Sequence, residues 1–214
     1  MTPALAFRRW ALVVLPLLTL VLMVAGTFLD PDIDAEGREL AREYAENPGV
    51  TQVSALAFHF AFITTAPLVF ALVGLVRGRG AWLANVGAIL ATLGATTLPG
   101  FLLVDFYDIA IYGEVGPEAW DAVNDRLEEL PGATILFITG FLGHILSLPF
   151  ALFGAWRGRL VALWVPIVVT LGTLGGQLAP EVAGIGLLIT AASMLALSYA
   201  FWRMDWPPRE PAAA

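Results

Sequence analysis

The chain has 214 residues, 58% of them hydrophobic and only 14% charged, with no cysteine and a formal net charge of −7. Soluble domains carry about 25% charged residues, so these proportions exclude an ordinary water-soluble fold and predict a single membrane domain. The lack of cysteine excludes a disulfide framework, a thiolate metal site and a cysteine nucleophile.

Six windows are free of Asp, Glu, Lys and Arg: Trp10 to Leu29, Asn47 to Val76, Gly80 to Val104, Leu130 to Trp156, Leu160 to Pro180 and Val182 to Trp202. A helix of about 20 apolar residues crosses a hydrocarbon core of about 30 Å, and each window is that long. The expected fold is an all-α integral membrane protein, a bundle of six transmembrane helices. They are placed at about 10–29, 53–76, 81–104, 133–156, 160–179 and 182–202, with outer loops at about 30–52 and 105–132 and a tail at 203–214.

In the first window, Phe7-Arg8-Arg9 and an apolar run ending Val24-Ala25-Gly26 match the pattern of a cleaved signal peptide. Against that rival reading stand the length of the run and its place in a repeat. The first outer loop alternates Asp30, Asp32 and Asp34 as a calcium loop does. Ala35 and Ala41 stand where Gly and the bidentate Glu are required, and Pro31 intrudes. A solvated turn with Asp34 capping a helix is expected instead, and Leu40 and Tyr44 give that helix a weak apolar face. The second span carries Gln52, His59 and Pro67, and it ends in the segment LVFALVGLVRGR, residues 68–79.

The third span holds Asn85 and, at four-residue spacing, Gly87, Ala91 and Ala95, small residues that let helices approach closely in lipid. Asp105 and Asp108 are expected to end it one turn apart. In the second outer loop Pro117 suits a first helical position, Glu118 and Asp121 suit the positive helix end, and Pro131-Gly132 stops the run. Trp120, Val123, Leu127 and Leu130 then form one apolar stripe. The fourth span places Gly140, His144 and Ser147 on one face and ends in LPFALFGAWRGR, residues 148–159. The fifth has Gly172, Gly175, Gly176 and Gln177, and the sixth has Ala192, Ala196 and Ala200. Pro16, Pro67, Pro149 and Pro166 are expected to kink their spans.

The two Arg-Gly-Arg segments match at eight of twelve positions at an offset of 80. With Pro16 and Pro166 each seven residues after an arginine, they suggest three helical hairpins in parallel repeat, the third with a minimal outer loop. Orientation follows from the arginines. Arg8, Arg9, Arg77, Arg79, Arg157, Arg159, Arg203 and Arg209 share one side, whereas only Arg38, Arg42 and Arg126 lie on the other. The positive-inside rule then puts both termini in the cytoplasm of a cell held by its plasma membrane. Trp10, Trp82, Trp156, Trp202 and Trp206 mark the inner interface, and the acids gather outside.

No Walker loop, dinucleotide fingerprint, HExxH or GxSxG occurs, which argues against an enzyme. His59 and His144 both fall inside spans, where ionisable groups signal function by default. Their five-residue difference in distance to the following arginine, about 7 Å of helix, disfavours them as paired axial ligands of haem b. A neutral interhelical role competes with a proton-titrating one. Asp105 and Asp108 are candidate cation ligands, set against a reading as interfacial residues. The function placed first is a non-enzymatic accessory subunit or scaffold, with no cofactor. Its partners are the bilayer, a protein partner at the acidic outer face, and a homo-oligomer; nucleic acid is not expected. The alternative is a small solute or ion transporter, proton-coupled in one version, with a polar pathway past His59, Asn85, Asp105, His144 and Ser147. A haem-carrying electron carrier ranks below both.

Overall fold

A computed structural model describes residues 2–31, 35–178 and 183–206, apart from the side chains of 176–178 and 183–184. The described residues form helices and turns without a strand. In chain order they are α1 (Pro3–Leu29), α2 (Gly37–Glu46), α3 (Pro48–Val73), a 3₁₀ turn (Gly78–Gly80), α4 (Ala81–Phe101), α5 (Leu103–Val115), α6 (Pro117–Glu128), α7 (Pro131–Arg157), α8 (Trp164–Leu178) and α9 (Ala183–Arg203). Prolines open α1, α3, α6 and α7, where a missing N–H costs nothing. Thr2 caps α1 by accepting the Leu5 amide at 3.4 Å.

Five stretches are long and apolar enough to cross a membrane: Pro3–Leu29, Pro48–Val73, Gly78–Val115, Pro131–Arg157 and Ile185–Arg203. Large hydrophobics such as Val21, Phe28, Ile89, Ile135 and Leu188 turn outward from them. So much exposed apolar surface suits a membrane location. α8 has 15 residues, about 22 Å, and by length alone falls short of a span. Its start at Trp164, rather than near residue 160, follows a turn in which Arg159 adopts φ 60°. Pro166 therefore sits in the first turn of α8 and kinks nothing.

The outer loops at 30–52 and 105–132 hold the amphipathic helices expected in them, α2 and α6, and one that was not expected, α5. α3 begins at Pro48, five residues before the expected Val53. Asp105 and Asp108 do not end a helix. Pro99 interrupts the hydrogen-bond ladder near the end of α4, and the chain turns at Leu102 and resumes as α5. α4 alone has 21 residues, about 31 Å, which matches the hydrocarbon thickness. α5, with its two aspartates and Glu114, adds length beyond that.

The closest helix pairs are α1 with α3, α4 with α7, and α8 with α9. Contacts of α3 with α4, α7 with α8, and α9 with α1 close a ring, and α7 also leans against α3. Leu12, Leu68, Val69, Leu72, Leu152 and Phe201 form its dry core. The α4–α7 seam is made of bare backbone. A Cβ on Gly87 would stand 2.7 Å from the Ala151 amide, one on Gly94 2.7 Å from the His144 amide, and one on Gly143 2.6 Å from the Gly94 amide. Gly87 and Ala91 are in the seam as expected, but Ala95 is replaced there by Gly94, because a 3.6-residue turn drifts off a strict four-residue spacing. On α9 the buried face carries Ser193, Met194, Leu197, Ser198 and Phe201, not the Ala192, Ala196 and Ala200 row. Ser198 Oγ donates to the Val13 carbonyl at 2.7 Å, and Gly172 of α8 fits against Ser193. Larger polar residues supply bonds that alanines cannot.

At one end of the ring α2, α5 and α6 pack into a cap. The opposite end carries the arginine turns, where Arg8 donates to the Gly74 carbonyl at the end of α3 at 3.2 Å. Across the cap Arg38 pairs with Asp121, joining α2 to α6. Trp120, 8% exposed, is the buried anchor of α6, and its indole donates to Asp108 Oδ1 at 2.5 Å.

Candidate functional site

Midway along α7, His144 faces a cavity enclosed by α1, α3, α7, α8 and α9. Its volume, open to the centre of a water-sized sphere, is about 40 Å³. One water needs about 10–15 Å³ on this measure, so roughly three waters fit. Hydroxyls of Thr19, Thr65, Thr173 and Thr190 join the imidazole in its wall, and Phe62, Leu148 and Met194 supply apolar surface.

The hydroxyl geometry gives this wall a polarity. Thr173 Oγ1 donates to the Val169 carbonyl at 2.9 Å and Thr190 Oγ1 to the Gly172 carbonyl at 3.5 Å. Thr19 Oγ1 lies 2.6 Å from Thr64 Oγ1, and each also reaches a carbonyl of its own helix, Leu15 at 2.9 Å and Ala61 at 2.6 Å. A hydroxyl has one proton and two lone pairs, so one that donates to a backbone carbonyl keeps the capacity to accept. Among the described residues neither imidazole nitrogen of His144 is hydrogen-bonded, and the ring stacks edge-on against Phe62 at 4.8 Å. Such a site suits a water chain, a proton or a small cation.

A second polar cluster lies under the cap. Tyr44, buried on α2, donates its hydroxyl to Asp30 Oδ2 at 3.2 Å. Burial, helped by Asp105 and Asp30, pushes its phenol above the ordinary range. Burial likewise raises the Asp105 carboxyl to about 7, with Asp108 and Asp30 adding to the effect. Asp108 is raised too, by burial, although the Trp120 indole partly opposes this. Asp108 already accepts the Trp120 indole, so the two carboxyls do not form an open pair for a cation.

The structure brings together few of the residues the sequence put on one pathway. His144 lines the cavity, but His59 does not; its ring lies edge-on to Phe60 at 5.5 Å. Asn85 is exposed on the outer side of α4, away from the cavity. Ser147 is fully buried and donates back to the His144 carbonyl at 3.0 Å, inside the seam with Gly87. Asp105 belongs to the cap. A haem needs a pocket of hundreds of Å³, so the residues around His144 do not fit one. Asp32, Asp34 and the side chain of Gln177 lie outside the described residues. The cavity threonines escaped notice because a threonine in an apolar helix ordinarily bonds its own backbone, and nothing in their spacing unites four different helices. Comparisons with family models, curated proteins and solved structures gave no match.

Proposed function

We propose that the chain is a non-enzymatic, six-span protein of the cytoplasmic membrane that passes a proton or a small cation through the His144 cavity. In this reading α8 is the fifth span, and the three hairpins descend from one repeated unit. The arginine turns and both termini face the cytoplasm, and the cap faces outside. The observation that carries the proposal is the threonine-lined cavity around an imidazole without a protein hydrogen bond. A polar group there is costly in lipid, and four threonines from four helices share the cavity wall with it. Purified protein in liposomes loaded with a pH-sensitive dye tests the idea. An imposed potential should drive proton or monovalent-cation flux that His144→Ala lowers by about 10- to 100-fold. Flux equal to that of empty liposomes for protons, sodium, potassium and ammonium would refute it.

The accessory or scaffold reading stands second, supported by the cap, whose surface exposes Glu39, Glu46, Glu114, Glu118, Asp125, Glu128 and Glu129. A basic protein partner would match that face. Crosslinking in native membranes separates the readings, because a scaffold yields one stoichiometric partner through the cap and leaves liposome flux at background.

A further inference from the structure

The apolar stripe of α6 is only half used. Trp120 is buried, but Val123 is 48% exposed, Leu127 37% and Leu130 41%. These three residues, with Val104 and Ile111 of α5, line a groove of about 620 Å³ between the two helices. That volume is within the 300–1,000 Å³ typical of ligand pockets, which are likewise mostly apolar with a few polar groups. The groove is held open by construction. α5 and α6 fold back on each other at Gly116, whose φ of 98° is natural only to glycine, and the Trp120–Asp108 hydrogen bond pins the arms.

Its surroundings say what fills it. The groove runs into the lipid-facing belt, since Leu103 and Tyr107 of α5 and Ile135 and Leu136 of α7 are all exposed. Oily surface is therefore continuous from the bundle to the floor of the groove. The rim is polar: Asn124 and Arg126 stand there, and Arg126, the one cation on α6 among Glu118, Asp121, Asp125 and Glu128, pairs at the surface with Glu129 at 2.6 Å and keeps further N–H donors for a phosphate. A wholly anionic headgroup is repelled by that helix. A zwitterionic one matches it, with its phosphate beside Arg126 and its amine beside the acids.

We infer that the α5–α6 groove binds one acyl chain of a zwitterionic phospholipid from the leaflet at the cap end. The inference rests on the membrane reading but not on transport through the cavity.

The test places the full chain in phosphatidylcholine nanodiscs containing a small fraction of phosphatidylethanolamine with a photoreactive group near the end of one acyl chain. Crosslinked residues are then mapped by mass spectrometry. Adducts should concentrate severalfold on Val104, Ile111, Val123 and Leu127 relative to Val21 and Leu188, which are at least as exposed on the belt. A phosphatidylglycerol probe should label the groove severalfold less. Val123→Trp and Leu127→Trp, which fill the groove at already exposed positions, should bring labelling down to belt level while helix content and elution volume stay unchanged. His144→Ala should leave it intact, so loss of flux and loss of lipid binding are separable. Adducts spread evenly over the belt, or groove labelling that survives both tryptophans, would overturn the inference.

Discussion

At the scale of single residues, the chain hides its most informative group in plain view. His144 was legible as a histidine inside a span, but its setting was not, because the surrounding hydroxyls come from Thr19, Thr65, Thr173 and Thr190, far apart in sequence. A hydrogen bond to a charged group is worth about 1.5–3 kcal/mol. Replacing His144 with Ala should therefore weaken a bound cation or slow proton passage by about 10- to 100-fold, read as liposome flux. His144→Gln keeps a polar tip without a titratable nitrogen. It should retain cation passage and lose proton passage, which identifies the ion.

Asp105 supplies the pH dependence. Its carboxyl is raised from 3.8 to about 7 in the fold, so the folded cap binds this proton more tightly than the unfolded chain does. Stability linked to it is present below the ordinary value, declines as pH rises, and is lost once pH passes about 7. The facing groups are Asp30, Tyr44 and Asp108, none of them cationic. The melting temperature should fall between about pH 4 and about pH 7, followed by tryptophan fluorescence. Asp105→Asn should flatten that fall and raise the melting temperature at the alkaline end.

At the scale of elements, charge-free windows located the long helices well and their ends poorly. Such a window stops at Asp105 whatever the backbone does, so α5 was read as loop even though Leu103, Phe106, Ile109 and Ala110 continue the apolar surface. Pro99 was the readable sign of the break, and it is α4, not the charges, that sets it. The seam was half legible: Gly87 and Ala91 were found, whereas Gly94, Gly140, Gly143 and Gly154 needed the partner helix to give them meaning. Overpacking a tight core costs about 1–3 kcal/mol, and here the added atoms would meet backbone. Gly143→Leu should thus disrupt the α4–α7 pair and drop the detergent melting temperature sharply. Gly132→Leu, where no atom lies within 4 Å of the added carbon, should change it little.

At the scale of the whole molecule, the number of crossings rests on α8, because the other five stretches are long enough unaided. A chain without cysteine is well suited to the test. A single cysteine at Val123 should react with an impermeant maleimide on intact cells, and one at Arg79 only after the membrane is permeabilised. A reporter fused after Ala214 should be active in the cytoplasm if α8 crosses, and outside if it does not. α1 bears on the same question. Leu12 and Val13 are core residues, and the Val13 carbonyl holds Ser198. Deleting residues 1–29 should leave α9 with α8 alone beside it and abolish monodisperse elution.

The bare-backbone seam between α4 and α7 has a mechanical consequence. Two helices locked glycine to amide have no room to slide, so they act as a fixed mast. The cavity wall opposite His144 is formed by α8 and α9, where Gly172 opens a single notch and α8 is short. Any widening of the cavity is thus left to the helices that complete its wall, α1, α3, α8 and α9.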